Sequence, residues 1–255
     1  MKTKKFLWGA LLVVSMLICI SATAYIVTSF LSENNNAQYI ATESSSAPND
    51  FIENNTVENH NINWSKIQKA NSDVYAWIYI PKTNIDYAVV QATGDETDTF
   101  YLNRNLEKEY EFAGSIFSEK QTSRDFSDPV TLIYGHNMKN GSMFATLHKF
   151  EDPDFFKKNK YIYIYTPDRR LTYKIYSAYI YDDRHILNSF DFSNKEIREQ
   201  YFSHTLNPDS VSKNTRKADL NPDSKIITLS TCTNGAANTR YLVQGVLIKD
   251  ENTHK

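Results

Sequence analysis

The segment 225–249, KIITLSTCTNGAANTRYLVQGVLIK, constrains the fold most strongly, because it has the pattern of a strand, a loop and a second strand. Residues 225–230 are rich in β-branched side chains, and residues 240–249 form another apolar run of strand length. Turn formers, among them Asn234 and Gly235, lie between the two runs. We therefore predict that Cys232 ends the first strand and that Arg240 opens the second.

A thiol that faces a guanidinium across a short loop needs an acid or base to complete a nucleophilic site. His136 is the best candidate, because it follows another apolar strand in VTLIYGHNM. Each residue also has an ordinary interpretation. A lone cysteine such as Cys232 is most often a small buried hydrophobe, and an arginine at a strand start is usually a surface charge.

Taken together, these residues resemble the sortase family. TLSTC, followed eight residues later by Arg240, is similar to the sortase signature TLxTC with its downstream arginine, and YGH at 134–136 is similar to the histidine motif. The resemblance runs from about residue 63 to residue 249. Near its start, NSDVYAWIYIPKTNIDYAVVQ looks like the class B branch.

The resemblance implies a transpeptidase that needs no cofactor or metal. Cys232 would attack the acyl carbon of a sorting signal after its threonine, His136 would protonate the leaving amine, and Arg240 would hold the substrate or its oxyanion. Ser230 and Tyr134 match positions that line the family's substrate groove, although ordinary strand packing also explains both. The family implies a Gram-positive cell surface, an acceptor amine on peptidoglycan and, for class B, a signal of the Asn-Pro-x-Thr type.

One position departs from the family pattern. Some class B members have an aspartate two residues after the cysteine, where this chain has Asn234. An asparagine accepts a hydrogen bond but cannot stabilise an imidazolium by charge. The sequence therefore does not support a Cys-His-Asp triad.

The amino-terminal segment predicts a membrane anchor. Lysines precede an apolar run over residues 6–31, which is long enough to span about 30 Å of hydrocarbon. The A-x-A sequence at residues 22–24 leaves a cleaved secretory signal as the alternative. We predict a cytoplasmic end at 1–5, an anchor at 6–31, a flexible stalk at 32–62 and an extracellular catalytic domain at 63–255.

Composition excludes some partners and sites. A formal net charge of −2, without a dense basic stripe in the folded part, gives no electrostatic basis for nucleic-acid binding. Cys19 and Cys232 are the only cysteines, and they have no disulfide framework or zinc-ligand pattern.

The order of the elements predicts the architecture. About eight strands and several short helices, without regular alternation, favour a mostly antiparallel β-barrel with peripheral helices, and the family resemblance implies an eight-stranded barrel. About forty residues separate the strands that end near Tyr181 and begin at Lys225. We predict that this insertion forms a wall of the substrate groove, and a surface elaboration without effect on specificity is the alternative. Ser193 and Glu196 are predicted to form a capping box on its helix.

The other histidines are weaker candidates for a catalytic role than His136. We interpret His60, His148, His185 and His204 as solvated or packing residues. Two other functions stay open: a cysteine protease that mainly hydrolyses its substrate, and a membrane-tethered binding module or pilus scaffold with a structural cysteine.

Overall fold

A computed structural model describes residues 52–55, 60–234 and 238–253 of the chain. The predicted cytoplasmic end, the predicted anchor at 6–31 and most of the predicted stalk lie outside these residues. Within the described ranges, none of the helices combines the length and apolar character needed to cross a membrane.

The described residues form mainly strands. The strands are β1 (Ile52–Asn55), β2 (His60–Ile62), β3 (Val74–Tyr79), β4 (Asp86–Gln91), β5 (Ile116–Ser118), β6 (Val130–Tyr134), β7 (Tyr161–Tyr165), β8 (Arg169–Asp182), β9 (Lys213–Thr215), β10 (Ile226–Cys232) and β11 (Thr239–Asn252). The helices are α1 (Trp64–Ala70), α2 (Pro153–Lys158), α3 (Ile186–Ser189) and α4 (Lys195–Leu206), with 3₁₀ helices at Phe100–Asn103 and Ala145–Glu151.

Eight of these strands close into a barrel. Their order is β11-β10-β6-β5-β4-β3-β7-β8, and pairing of β8 with β11 joins the two edges. Most pairs are antiparallel, but β4 pairs with β5 and β6 pairs with β10 in parallel. The prediction of an eight-stranded, mostly antiparallel barrel is confirmed, and β9 adds a short strand to β8.

Apolar side chains fill the barrel interior. The central cluster combines residues of β3, β7, β8, β10 and β11 with Phe144, Leu147 and Phe150 from the segment after β6. Because Phe144, Leu147 and Phe150 are fully buried, the 3₁₀ helix Ala145–Glu151 is held tightly against the barrel. This helix follows β6 closely in the chain, so its packing helps to hold the residues at the end of β6 in position.

The amino-terminal strand β2 is also packed against the barrel. The ring of His60 stacks between Tyr79 and Tyr165, with ring centroids 4.9 Å apart on each side. Its Nε2 atom lies 2.8 Å from Oδ1 of Asp86, which also accepts a hydrogen bond from Trp77. His60 is therefore a packing residue, one of the two roles expected for it.

The insertion between β8 and β10 contains α3, α4 and β9. Tyr201 and Phe202 of α4 pack on the barrel's outer surface, in one cluster with Tyr176 and Tyr179 of β8. The predicted capping box at Ser193 is wrong. The side chain of Asn194 caps α4 by accepting from the amides of residues 196 and 197, while Ser193 Oγ donates to Asp191.

Candidate active site

Three neighbouring strand ends bring the predicted nucleophile, histidine and arginine to one end of the barrel. Cys232, the last residue of β10, pairs with Arg240 of β11. On the other side of β10, Ser230 pairs with Tyr134 of the parallel strand β6. His136 lies two residues after Tyr134, and Cys232 lies two residues after Ser230. The two segments run in the same direction about 4.8 Å apart. The register therefore places His136 and Arg240 on opposite sides of Cys232.

Cys232 is the exposed end of an otherwise buried strand. Ser230 and Thr231 are 5% and 2% exposed, whereas the Cys232 thiol is free and accessible. The ladder continues briefly beyond the cysteine, because the amide of Thr233 donates to the carbonyl of Thr239. A rigid strand thus presents the thiol to solvent.

The backbone around His136 is held from two sides. The Gly135 amide donates to the Ser230 carbonyl at 3.2 Å, and the His136 carbonyl accepts from the Phe144 amide at 2.9 Å. A Cβ atom on Gly135 would approach the Ile116 side chain to 2.5 Å and the Phe144 ring to 2.7 Å. Only glycine fits at this close approach between the end of β6 and the core.

The His136 ring is oriented by two further contacts. Its Nε2 atom lies 2.8 Å from the carbonyl oxygen of Leu102, and the ring stacks on Phe112 with centroids 5.8 Å apart. A carbonyl oxygen can only accept, so Nε2 carries a proton in this arrangement. In the neutral ring, Nδ1 is then the nitrogen able to take up a proton.

Two side-chain donors converge on the backbone carbonyl of Cys232. The Nδ2 atom of Asn137 and the Nε2 atom of His148 each lie 3.0 Å from this oxygen. Asn137 Nδ2 also donates to Asn234 Oδ1 at 2.8 Å. Asn234 therefore contributes to the site as an acceptor for Asn137.

His148 is held in place from three directions. Its Nδ1 atom lies 2.6 Å from Oε1 of Glu151, and its ring stacks on Tyr241 with centroids 4.9 Å apart. The two ring nitrogens of His148 thus face two acceptors, the Glu151 carboxylate and the Cys232 carbonyl. This contact was not predicted from the sequence, and the i, i+3 spacing of His148 and Glu151 is the one local signal that could have indicated a fixed imidazole.

Arg240 is half-buried, and one of its contacts is a hydrogen bond from Nη1 to the carbonyl of Thr239 at 3.1 Å. It lies opposite Tyr181 of β8 on the side away from Cys232. The guanidinium also acts on the hydroxyl of Tyr134. Burial raises the pKa of Tyr134 above its usual value, the Glu119 carboxylate raises it further, and Arg240 opposes both effects.

The two residues predicted to line the groove differ in accessibility. Tyr134 is half-buried, with its hydroxyl enclosed, and lies two positions before His136. Ser230 is only 5% exposed and lies two positions before Cys232, on the same face of β10. Tyr134 therefore offers more surface to a bound peptide than Ser230 does.

The insertion reaches the same region through His185. Its Nε2 atom lies 2.6 Å from Oε2 of Glu119, whose side chain is 9% exposed, directly after β5. Gln121 and Asn188 add a longer contact of 3.4 Å. The start of the insertion is thus attached beside Tyr134, since Glu119 acts on both residues.

No group of three or more histidine, cysteine, aspartate or glutamate side chains within residues 60–234 and 238–253 is arranged to hold a metal ion. The chemistry available at this end of the barrel is that of an exposed thiol, an imidazole and a guanidinium on adjacent strands. Such a set can perform nucleophilic acyl transfer.

Comparisons with known proteins match this arrangement to one family. The sortase-domain family model matches residues 78–248. Sortase B of Listeria monocytogenes is 31% identical over 192 residues, which cover 71% of this chain and 72% of that protein. The X-ray structure of Clostridium perfringens sortase B has a TM-score of 0.65 and 35% identity, covering 73% of this chain and 100% of that chain. A Staphylococcus aureus sortase B–substrate complex has a TM-score of 0.64 and 26% identity, covering 73% of this chain and 85% of that chain.

Proposed function

This chain belongs to the sortase family, in its class B branch, and we propose that it is a membrane-anchored cysteine transpeptidase that attaches surface proteins to the cell wall. The observation that carries the proposal is the placement of Cys232 as an exposed strand end, with Arg240 on the strand to one side and His136 two residues beyond the end of the strand on the other. A cysteine with a purely structural role would not need to be exposed.

In the first half-reaction, Cys232 passes its thiol proton to His136, and the thiolate attacks the carbonyl carbon of the signal's threonine. A C–S bond forms at this carbonyl carbon, and the peptide C–N bond that follows the threonine breaks. The departing amine takes a proton from the His136 imidazolium. Since Nε2 of His136 donates to Leu102, Nδ1 is the nitrogen that exchanges this proton.

In the second half-reaction, an amine of a peptidoglycan precursor attacks the thioester. The new C–N bond forms as the C–S bond breaks, and His136 accepts the proton that the amine loses. The thiolate of Cys232 is released and is ready for another cycle. In both tetrahedral intermediates the acyl oxygen becomes negatively charged, and we propose that the guanidinium of Arg240 donates to it.

Asn137 and His148 act on the nucleophile indirectly. Both donate to the carbonyl of Cys232, which fixes the peptide plane after the cysteine. A fixed backbone limits the directions that the thiol can take, and an orientation error of about 1 Å is costly in such reactions. We assign these two as positioning residues.

The substrate proposal follows the class B branch. The surface proteins would carry a signal of the Asn-Pro-x-Thr type, and the insertion attached through His185 and Glu119 would form one wall of the groove beside Tyr134. Ser230 and Tyr134 are proposed as groove residues, with Tyr134 the more accessible of the two.

The topology proposal has residues 1–5 in the cytoplasm, residues 6–31 as an uncleaved anchor and the catalytic domain outside the cell. The positive charges before an apolar run of spanning length support it. Amino-terminal sequencing of the mature protein tests it. A mature amino terminus at Tyr25 would instead indicate a cleaved signal.

Mass spectrometry of the purified protein, incubated with an Asn-Pro-x-Thr peptide and an amine, tests the reaction. The expected products are an acyl-enzyme on Cys232 and a peptide joined to the amine through its threonine. If the peptide is only hydrolysed, the cysteine protease alternative is supported. If no sorting peptide gives a covalent product, the transpeptidase proposal is refuted.

A further inference from the structure

A second site lies on the flank of the barrel, far from Cys232. A cavity of about 460 Å³ is lined by Phe156, Lys157, Lys160, Lys174, Arg216 and Lys217, and we call it the basic cavity. Lys174 lies seven residues before Tyr181 on β8, and Tyr181 pairs with Arg240. At about 3.3 Å per residue, that separation is about 23 Å along the strand. The basic cavity is therefore distinct from the proposed active site.

The charge of the basic cavity is one-sided. Four lysines and one arginine line it, and no aspartate or glutamate belongs to its described lining. Among the described residues, none of the four lysines forms an ion pair with a carboxylate. The whole chain has a net charge of −2, so general basicity does not account for this concentration. Five convergent cations create a local potential that attracts multiply charged anions.

The backbone holds these cations together. The amide of Ile175, next to Lys174, donates to the carbonyl of Lys160 at 2.8 Å, which joins the start of β7 to β8. The amide of Arg216 donates to the carbonyl of Tyr176, also at 2.8 Å, which joins the end of β9 to β8. These two backbone bonds therefore hold Lys160 and Arg216, just outside the ends of β7 and β9, against β8 near Lys174.

Arg216 is the most constrained of the five cations. Its Nη2 atom donates to the carbonyls of Phe156 and Asn159, and its guanidinium lies 4.2 Å from the Phe156 ring centroid. Its Nε atom is enclosed and has no acceptor among the described residues. Burial lowers the pKa of Arg216.

We propose that the basic cavity binds a phosphate-bearing organic anion. A dianion or trianion gains more from five cations than a monocarboxylate does, and planar arginine with lysine is a common combination for phosphate. The volume falls in the range of small-molecule sites and exceeds what a bare phosphate occupies. Either a soluble phosphorylated compound or an anionic phospholipid head group has this chemistry.

Titration calorimetry of the purified full chain with pyrophosphate tests the proposal, with acetate as the monocarboxylate comparison. A Lys160→Gln/Lys174→Gln variant removes two cations without removing a hydrogen bond assigned in the structure. A Lys69→Gln/Lys195→Gln variant, with both changes on exposed helical positions, has the same net charge and serves as the control. We expect pyrophosphate binding to weaken by about tenfold or more in the cavity variant and to stay within about twofold in the control.

Equal weakening in both variants would show that only net charge matters and would overturn the proposal. So would acetate binding as tightly as pyrophosphate, or no detectable pyrophosphate binding to the wild type. The thermal unfolding midpoint and the rate of the peptide reaction should be the same in both variants, since neither pair of lysines contacts the proposed active site.

A vesicle arm distinguishes the two sources of phosphate. Both variants keep residues 6–31, so the difference between them on phosphatidylglycerol vesicles isolates the basic cavity, with phosphatidylcholine vesicles as the uncharged reference. If the cavity variant loses pyrophosphate binding and also binds phosphatidylglycerol vesicles more weakly than the control variant does, a lipid head group is supported. If the two variants bind these vesicles equally, a soluble phosphorylated compound is supported.

Discussion

The Nε2 atom of His136 donates a hydrogen bond to the backbone carbonyl of Leu102 at 2.8 Å. This contact joins the histidine to the 3₁₀ helix Phe100–Asn103, which lies 34 residues earlier in the chain. It assigns the two ring nitrogens different roles, because a nitrogen bonded to a carbonyl must keep its proton. Proton exchange with the thiol and the amines is thereby left to Nδ1.

The His136→Ala variant should lose most transpeptidation. Without the imidazole the leaving amine departs unprotonated, and general acid–base catalysis contributes about 10²–10⁴-fold to rate. Single-turnover kinetics with a fluorogenic sorting peptide measures the loss. His204→Ala, an exposed change in α4, is the matched control. An active His136→Ala variant, together with an inactive His185→Ala variant, would show that the wrong histidine has been assigned.

The Cys232→Ala variant should abolish both cleavage and transfer, because Cys232 is the only cysteine after residue 19. We expect a loss of about 10³-fold or more, as for other covalent nucleophiles. Intact-protein mass spectrometry should at the same time show no acyl-enzyme. Cys19→Ala, in the predicted anchor, controls for loss of a thiol and should keep full activity. Retention of even about a tenth of the turnover by Cys232→Ala would exclude it as the nucleophile.

The Arg240→Lys variant should lose most activity although it keeps the charge. A lysine is a point charge on a flexible stem and does not reproduce a planar, two-pronged donor. Removal of an oxyanion donor typically lowers kcat by about 10²–10³-fold. Steady-state kcat and KM for Arg240→Lys and Arg240→Gln make the comparison. If the lysine variant reacted at a near-normal rate while the glutamine variant did not, positive potential alone would be sufficient at this position.

The His148→Ala variant should lower kcat by about tenfold with little change in KM. The Cys232 carbonyl would lose one of its two side-chain donors, and a typical hydrogen bond contributes about 0.5–1.5 kcal/mol. His148→Gln retains a donor and should recover part of kcat, which a purely structural loss would not allow. Thermal unfolding of both variants provides the stability control. Equal kcat values for wild type and His148→Ala would remove His148 from the positioning residues.

Substrate preference is the remaining prediction. We expect a higher kcat/KM for an Asn-Pro-x-Thr peptide than for a matched Leu-Pro-x-Thr-Gly peptide that differs only in the first and last signal residues. The reason is that the insertion, which the contact of His185 with Glu119 attaches to the barrel, is proposed to form one wall of the peptide groove beside Tyr134. The measurement is a competition between the two peptides, followed by mass spectrometry. Preference for the Leu-Pro-x-Thr-Gly peptide would contradict the class B substrate while leaving the roles of the catalytic residues unchanged.

Local sequence patterns were sufficient for most of the elements and for the candidate nucleophile. Strand propensity and turn residues predicted the ends of β10 and β11 to within a few residues. These features depend on side chains that are close in sequence, such as β-branched residues in a strand. Cys232 and His136 could be selected because each ends an apolar run, and the family motifs identified both.

Contacts between distant segments were decided only by the tertiary structure. The parallel pairing of β6 with β10 places His136 beside Cys232, and no local pattern specifies which strands of a barrel become neighbours. The contact of His148 with the Cys232 carbonyl joins residues 84 positions apart, so the local sequence indicated only a solvated or packing role for this histidine. The basic cavity likewise gathers cations from α2, β8 and the end of β9, which are scattered along the sequence. The sequence by itself determined which chemical groups the chain carries and where its strands end, whereas barrel closure determined which of those groups meet, because its register is set by the packing of all eight strands together.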